Sequence, residues 1–172
     1  MNKLLHLHEF SIWLNATGFH NWARAITRSY TFSLPIIQGV HIVAVCAIVG
    51  SIGMLSLRMA GLVPGGPLKE MAHRLMPWTW VALLVQITTG VFMIADRPGR
   101  AFDSFSFPYK MLMLIVAIAL MSWFSLMLRR DPSHWDENGG HRLSGRLLGV
   151  LSFLLWVGVI FGGRWIAYER AA

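Results

Sequence analysis

The residues able to do chemistry in this chain are histidines, bases and amides set in apolar surroundings. His41 stands in a run without formal charge, and Gln38 lies one helical turn before it on nearly the same face. Gln86 and Thr89 stand in a second such run, Lys110 opens a third, and Arg164 lies just inside the end of a fourth. A strongly polar group inside hydrocarbon is costly, so each of these is a candidate for function. An imidazole with Lys and Arg around it suits an anionic, partly apolar ligand. Haem b fits: the imidazole ligates iron, the porphyrin fills an apolar bundle, and the bases meet its propionates. A quinone or another amphiphile fits nearly as well. The plainer alternative is that His41 bonds a neighbouring helix, while Lys110 and Arg164 reach out to lipid headgroups.

Four apolar runs must position these groups. Of 172 residues, 55% are hydrophobic and only 13% charged, with mean hydropathy +0.54. A soluble domain carries about a quarter charged residues. Here the deficit collects into runs over about 32–57, 75–95, 110–128 and 147–167. Each is long enough to cross about 30 Å of hydrocarbon at about 1.5 Å per residue. The expected fold is therefore all-α: a transmembrane four-helix bundle over 31–172, preceded by an amphipathic interfacial helical segment over 1–30. In that segment Phe10, Trp13, Leu14, Trp22 and Ala25 recur at helical spacing, and 15–18 interrupts it.

Topology adds what a list of residues does not. The start of span one, the end of span two, the start of span three and the end of span four face the same side. Gln38, His41, Thr89, Lys110 and Arg164 thus share one membrane half. A low-spin haem needs a second axial ligand, and no second histidine occurs in the spans. His20 supplies one if the N-terminal segment folds over the bundle end; Met93 is a candidate by depth; His73 belongs to the opposite side. Eight Lys and Arg residues fall on the side of the termini and seven on the other. That count does not decide the orientation; density in the two compact loops, 58–74 and 129–146, favours those loops being cytoplasmic, and the expected location is a bacterial inner membrane.

Other functions are excluded or unsupported. The net charge of +7 comes from bases at span ends, where they meet headgroups rather than nucleic acid. Cys46, the single cysteine, lies in an apolar run and reads as a small packing residue. His6 and His8, and His134 and His141 near Asp136 and Glu137, read as solvated residues rather than a metal site. No Ser–His–Asp set, phosphate loop or zinc-protease motif occurs. Pairs of glycines four apart, Gly145 with Gly149 and Gly158 with Gly162, allow close helix crossings.

The order of motifs resembles a widespread, largely uncharacterised bacterial four-span membrane family. It comprises His41, Gly50 and Ser51, LSLRMAGL (55–62), RLMPWTW (74–80), TTGVFMIADRP (88–98), FSFPYKMLML (105–114) and LSFLLWVGVIFGGRWIAY (151–168). The family pattern has an acidic residue where Gln38 stands and Asp where Ser56 stands; both departures remove a carboxylate. More distantly, the layout is similar to the haem-binding bacterial protoporphyrinogen oxidase membrane family, through His41, 74–77 and Lys110, and to the copper-resistance membrane domain. The first of these implies haem at His41 with Lys110 and Arg164 in support. The leading expectation is a haem b-binding protein of electron transfer or haem-dependent redox chemistry, served by a quinone or another redox partner. The rivals are a small transporter for copper or an organic anion, and a structural subunit of a membrane complex or homo-oligomer. Ten methionines bring copper to mind, but no span holds a paired Met-x-x-x-Met cluster.

Overall fold

The computed structural model describes residues 2–29, 33–63, 67–130, 139–166, 168 and 169, with side chains from residue 9 onward in the first helix and from 144 onward in the last. His134, Asp136 and Glu137, and the side chains of His6, His8 and His141, lie outside the described residues. The described residues form helices and no strand: α1 (Asn2–Asn15), α2 (Gly18–Arg28), α3 (Ser33–Met59), α4 (Leu68–Asp96), α5 (Pro98–Phe102), α6 (Ser106–Arg130) and α7 (Gly139–Ile166). Four of them, α3, α4, α6 and α7, are long and apolar enough to cross a membrane.

The helices extend beyond the apolar runs. α4 begins at Leu68, directly after Pro67, so Pro77 falls inside it rather than at its start. Proline there removes one backbone bond, a loss that membrane helices tolerate when neighbouring groups compensate. Pro35 lies in the first turn of α3, where its missing N–H has no partner to lose. Thr17 joins α1 to α2: its hydroxyl donates to the Leu14 carbonyl at 2.6 Å and accepts from the His20 amide at 3.4 Å, capping α2.

α3 packs on α4 and α7, and α6 packs on α7. One half of the bundle is filled. Ile48, Ile52 and Leu55 of α3 meet Ala72, Met76 and Leu83 of α4, Met121 and Phe124 of α6, and Trp156 of α7 in one buried cluster. Large outward-facing apolar side chains, such as Ile42, Val43, Leu84, Leu112, Ile115 and Phe161, leave the lipid as the medium around the bundle. Cys46 corrects the packing expectation: it is exposed on α3. A bundle surrounded by lipid has no need to hide a small apolar thiol.

Glycines set the closest crossings. Ser56 of α3 donates to the Gly149 carbonyl of α7 at 2.8 Å, and a carbon added at Gly149 would meet the Ser56 Cα at 3.2 Å. Backbone cannot step aside as a flexible side chain does. Gly149→Ala is therefore expected to destabilise by about 1–3 kcal/mol, as overpacking does. Gly50→Ala, whose added carbon meets open space, should be neutral or mildly stabilising through helix propensity. Unfolding titrations in detergent that rank the two variants equal contradict this crossing.

The N-terminal helices cap the other half of the bundle. α1 packs against α5, and α2 against α4 and α3. α2 carries three stripes. His20, Ala23 and Thr27 are buried, Phe19, Trp22 and Ile26 are exposed, and Asn21, Ala25 and Arg28 are exposed on a third side. Polar groups inward and aromatics outward are the reverse of a soluble helix. The buried ones are all used. The His20 ring donates from Nδ1 to the Ala95 carbonyl at 2.6 Å, and the Thr27 hydroxyl donates to Asp96 Oδ1 at 2.8 Å. They satisfy a buried carbonyl left without a helical partner and a buried carboxylate at the end of α4.

Candidate functional site

Opposite the filled half, the four long helices leave a cavity of about 310 Å³. Most of its wall is apolar, including Leu34, Met93, Met111 and Val159. Its polar groups are few: Gln38, His41, Gln86 and Lys110 within the bundle, and Asp96, Arg97 and Arg100 toward the end of α4 and α5. Apolar walls with a few convergent polar groups are the usual form of a small-molecule site.

His41, half-buried on α3, is fixed from α4 through both ring nitrogens. Nδ1 lies 2.7 Å from the Thr89 hydroxyl, and Nε2 lies 3.2 Å from the Gln86 amide nitrogen. The Thr89 hydroxyl is 2.7 Å from the Val85 carbonyl, which takes its hydrogen. Thr89 must then accept from His41 Nδ1–H. The neutral ring so held presents a lone pair at Nε2, which accepts from the Gln86 amide. Gly90 faces the ring: a carbon added there would lie in ordinary contact with it, 3.6 Å from His41 Cε1.

Lys110 enters the cavity from α6 along two glycines of α7. A carbon added at Gly162 would lie 3.2 Å from Lys110 Cβ, and one at Gly163 would lie 3.2 Å from Nζ. The pair of glycines is what lets a lysine stem pass between two packed helices. Among the described residues, its ammonium has no ion-pair or hydrogen-bond partner.

Charge also closes the cavity's end. Asp96, 4% exposed, lines it and is paired with Arg97 at 3.3 Å and Arg28 at 3.7 Å. Beyond this cluster, Glu169 ties the chain after α7 to the turn between α5 and α6. It accepts from the Ser104 and Ser106 hydroxyls. These two bonds, that of Ser104 first, hold its carboxyl below the usual carboxylate range. A carboxyl held low steadies the folded chain above the ordinary value and loses that contribution as pH falls through its folded value. The protection factor at 168 and 169, with the intrinsic pH dependence of exchange divided out, is expected to fall on acidification below about pH 4. In Glu169→Gln the protection factor should be nearly independent of pH; a wild-type protection factor equally flat in pH contradicts the tether.

The residues singled out from sequence thus divide. Gln38, His41 and Lys110 line the cavity, and Thr89 anchors the His41 ring. Arg164 does not line it: the residue is exposed, with its guanidinium 5.4 Å from the centre of the Tyr168 ring. His20 is buried on the Ala95 carbonyl, with Arg24 at 3.5 Å from its other nitrogen, and does not line the cavity either. Met93 lines it, and exposed His73 lies at the opposite end of α4. Asp96, Arg97 and Arg100 fall past the apolar run of the second span, where residue type and spacing carry no sign of a site. Their joint place on α4 and the short α5, begun by Pro98 at its first position, puts them at the cavity. Among the described residues, no group of three or more His, Cys, Asp or Glu is gathered to hold a metal ion.

Fold and cavity together define a multi-pass membrane protein of helical-bundle architecture with a polar-centred cavity in one half. Residues 17–169 match the model of a family of unknown function, DUF6644, and the chain belongs to that family. No curated protein and no solved structure matches it.

Proposed function

We propose that this chain is a haem b-binding membrane protein, with His41 as an axial ligand and one-electron transfer as its role. The observation that carries this reading is the oriented imidazole in an apolar cavity with cations at the same end. A haem-ligating histidine needs its far nitrogen held by a hydrogen bond, which fixes the ring and raises its basicity. Thr89 does this for Nδ1, so that Nε2, which accepts from the Gln86 amide, would be the coordinating atom. Apolar walls from all four long helices suit a porphyrin. The bases that face the cavity are Lys110, Arg97 and Arg100, and these suit its propionates; Arg164, which faces Tyr168, contributes at most from outside. Met93 and Met111 line the same space, and either would supply a thioether donor to bound haem. Bound haem would supply one-electron chemistry, and the chain's part is to hold the iron, exclude water and balance the propionate charge. The resemblance of His41, 74–77 and Lys110 to the haem-binding protoporphyrinogen oxidase family adds to this reading for binding, not for that enzyme's reaction.

The volume favours a second reading. A cavity of about 310 Å³ is at the small end of ligand sites, and a quinone head is a smaller occupant than a porphyrin. Lys110 Nζ would donate to its oxygen. The two readings separate in one preparation. Protein purified from membranes in mild detergent should carry a Soret band and yield haem b on extraction. A colourless, folded protein that yields quinone on extraction favours the second reading and removes the first.

A further inference from the structure

Gln86 stands on the one atom of His41 that a ligand needs. Its side chain is nine-tenths buried, at 6% exposed, and its amide nitrogen sits 3.2 Å from Nε2. The other end of the same amide, Oε1, is buried with no hydrogen-bond partner among the described residues. A buried amide that makes one bond and starves the other is held less firmly than one fully satisfied. It is therefore poised to turn when something better arrives at Nε2.

We propose that Gln86 guards His41: it covers Nε2 while the cavity is empty of ligand and gives that nitrogen up only to a Lewis-acidic metal centre or an O–H donor. The selectivity follows from the hydrogen positions. Thr89 commits its hydrogen to Val85 and takes Nδ1–H, so Nε2 is a lone-pair acceptor. A ligand offering only acceptor atoms cannot replace the Gln86 N–H there. Haem iron can, and so can the hydroxyl of a reduced quinone. The Gln86 Oε1 atom, once turned, is a second acceptor for a ligand hydroxyl or a water. Lys110 is the one lining group of the bundle interior that offers donors alone. The guard rests on the reading that this cavity is the ligand site, but its central bond is measurable without any ligand.

Two variants at this position should act in opposite directions. Gln86→Met keeps the volume and removes the amide. Hemin added to detergent-solubilised, haem-stripped protein should then bind roughly three- to tenfold faster, the range expected for one lost hydrogen bond. Gln86→Glu places acceptors against Nε2, favours a proton on that nitrogen, and should slow or abolish hemin uptake. A merely destabilised chain does not show opposite signs at one site. In the ligand-free protein, nitrogen NMR of the His41 ring should show an unprotonated Nε2 and a protonated Nδ1, with the Nε2 resonance moved by Gln86→Met. Equal hemin rates in wild type and Gln86→Met, with a Soret band lost in His41→Ala, overturn the guard and leave the haem reading standing. An Nε2 resonance unmoved by Gln86→Met also overturns it. If no variant takes up hemin, the haem reading falls, and the ring resonances alone decide whether the guarding bond exists.

Discussion

His41→Ala should give a protein that folds, inserts and purifies like the wild type but carries no Soret band. Alanine is tolerable there because the ring borders a cavity rather than filling the core. The buried cluster of Ile48, Ile52, Leu55 and Trp156 lies in the other half of the bundle and is untouched. Among the described residues no other histidine would replace His41, since His20 is spent on the Ala95 carbonyl and His73 lies at the far end of α4. Pigment loss should be complete, with the ligand-free form about 1–3 kcal/mol less stable than wild type, because the buried Gln86 amide loses its partner. A His41→Ala chain as coloured as wild type, with unchanged spectrum, contradicts the assignment of the ligand.

Thr89→Val carries the second large effect. Valine keeps the shape of threonine and removes the acceptor on His41 Nδ1. Outer hydrogen bonds to ligating histidines are worth about 10- to 100-fold in affinity, and haem retention should fall by about that factor. The reduction potential should also shift, because a ring that no longer gives its proton partway to Thr89 is a poorer donor to iron. A change in stability alone cannot move the potential of the haem that stays bound. Titration of hemin into stripped protein, followed by a redox titration of the loaded fraction, reads both. Equal affinity and equal potential would falsify the orienting role of Thr89.

The bundle was legible in the sequence because lipid imposes a simple rule. Apolar runs of a set length must be helices, and groups at their ends share a level once the spans are counted. That reasoning brought His41, Gln38, Thr89 and Lys110 to one half of the membrane. What it could not give is rotation. Each residue turns a helix by about 100°, so Lys110 and Arg164 stand at one level yet one faces the cavity and the other Tyr168. The glycines beside Lys110 hold the missing signal. Gly162 reads, with Gly158, as a general aid to close packing, and only the crossing of α6 on α7 reveals that it and Gly163 make room for a lysine stem.

The N-terminal segment was harder still. Its aromatics mark an interface, but nothing in its spacing tells that His20 caps a carbonyl and that Thr27 meets a buried carboxylate. Those partners lie 75 and 69 residues away in the chain. The cavity in one half of the bundle was likewise out of reach, since the same apolar residue types line both halves. Cys46 shows the same limit from the other side: residue type predicted burial, and lipid made burial unnecessary.

The most direct test of the central claim is a visible spectrum with pyridine haemochrome analysis of the wild-type protein, purified from membranes without added cofactor. A Soret band and about one haem b per one or two chains is the predicted result. A correctly folded preparation without absorbance above the protein band, and without haem on extraction even after expression with ample haem supply, contradicts it.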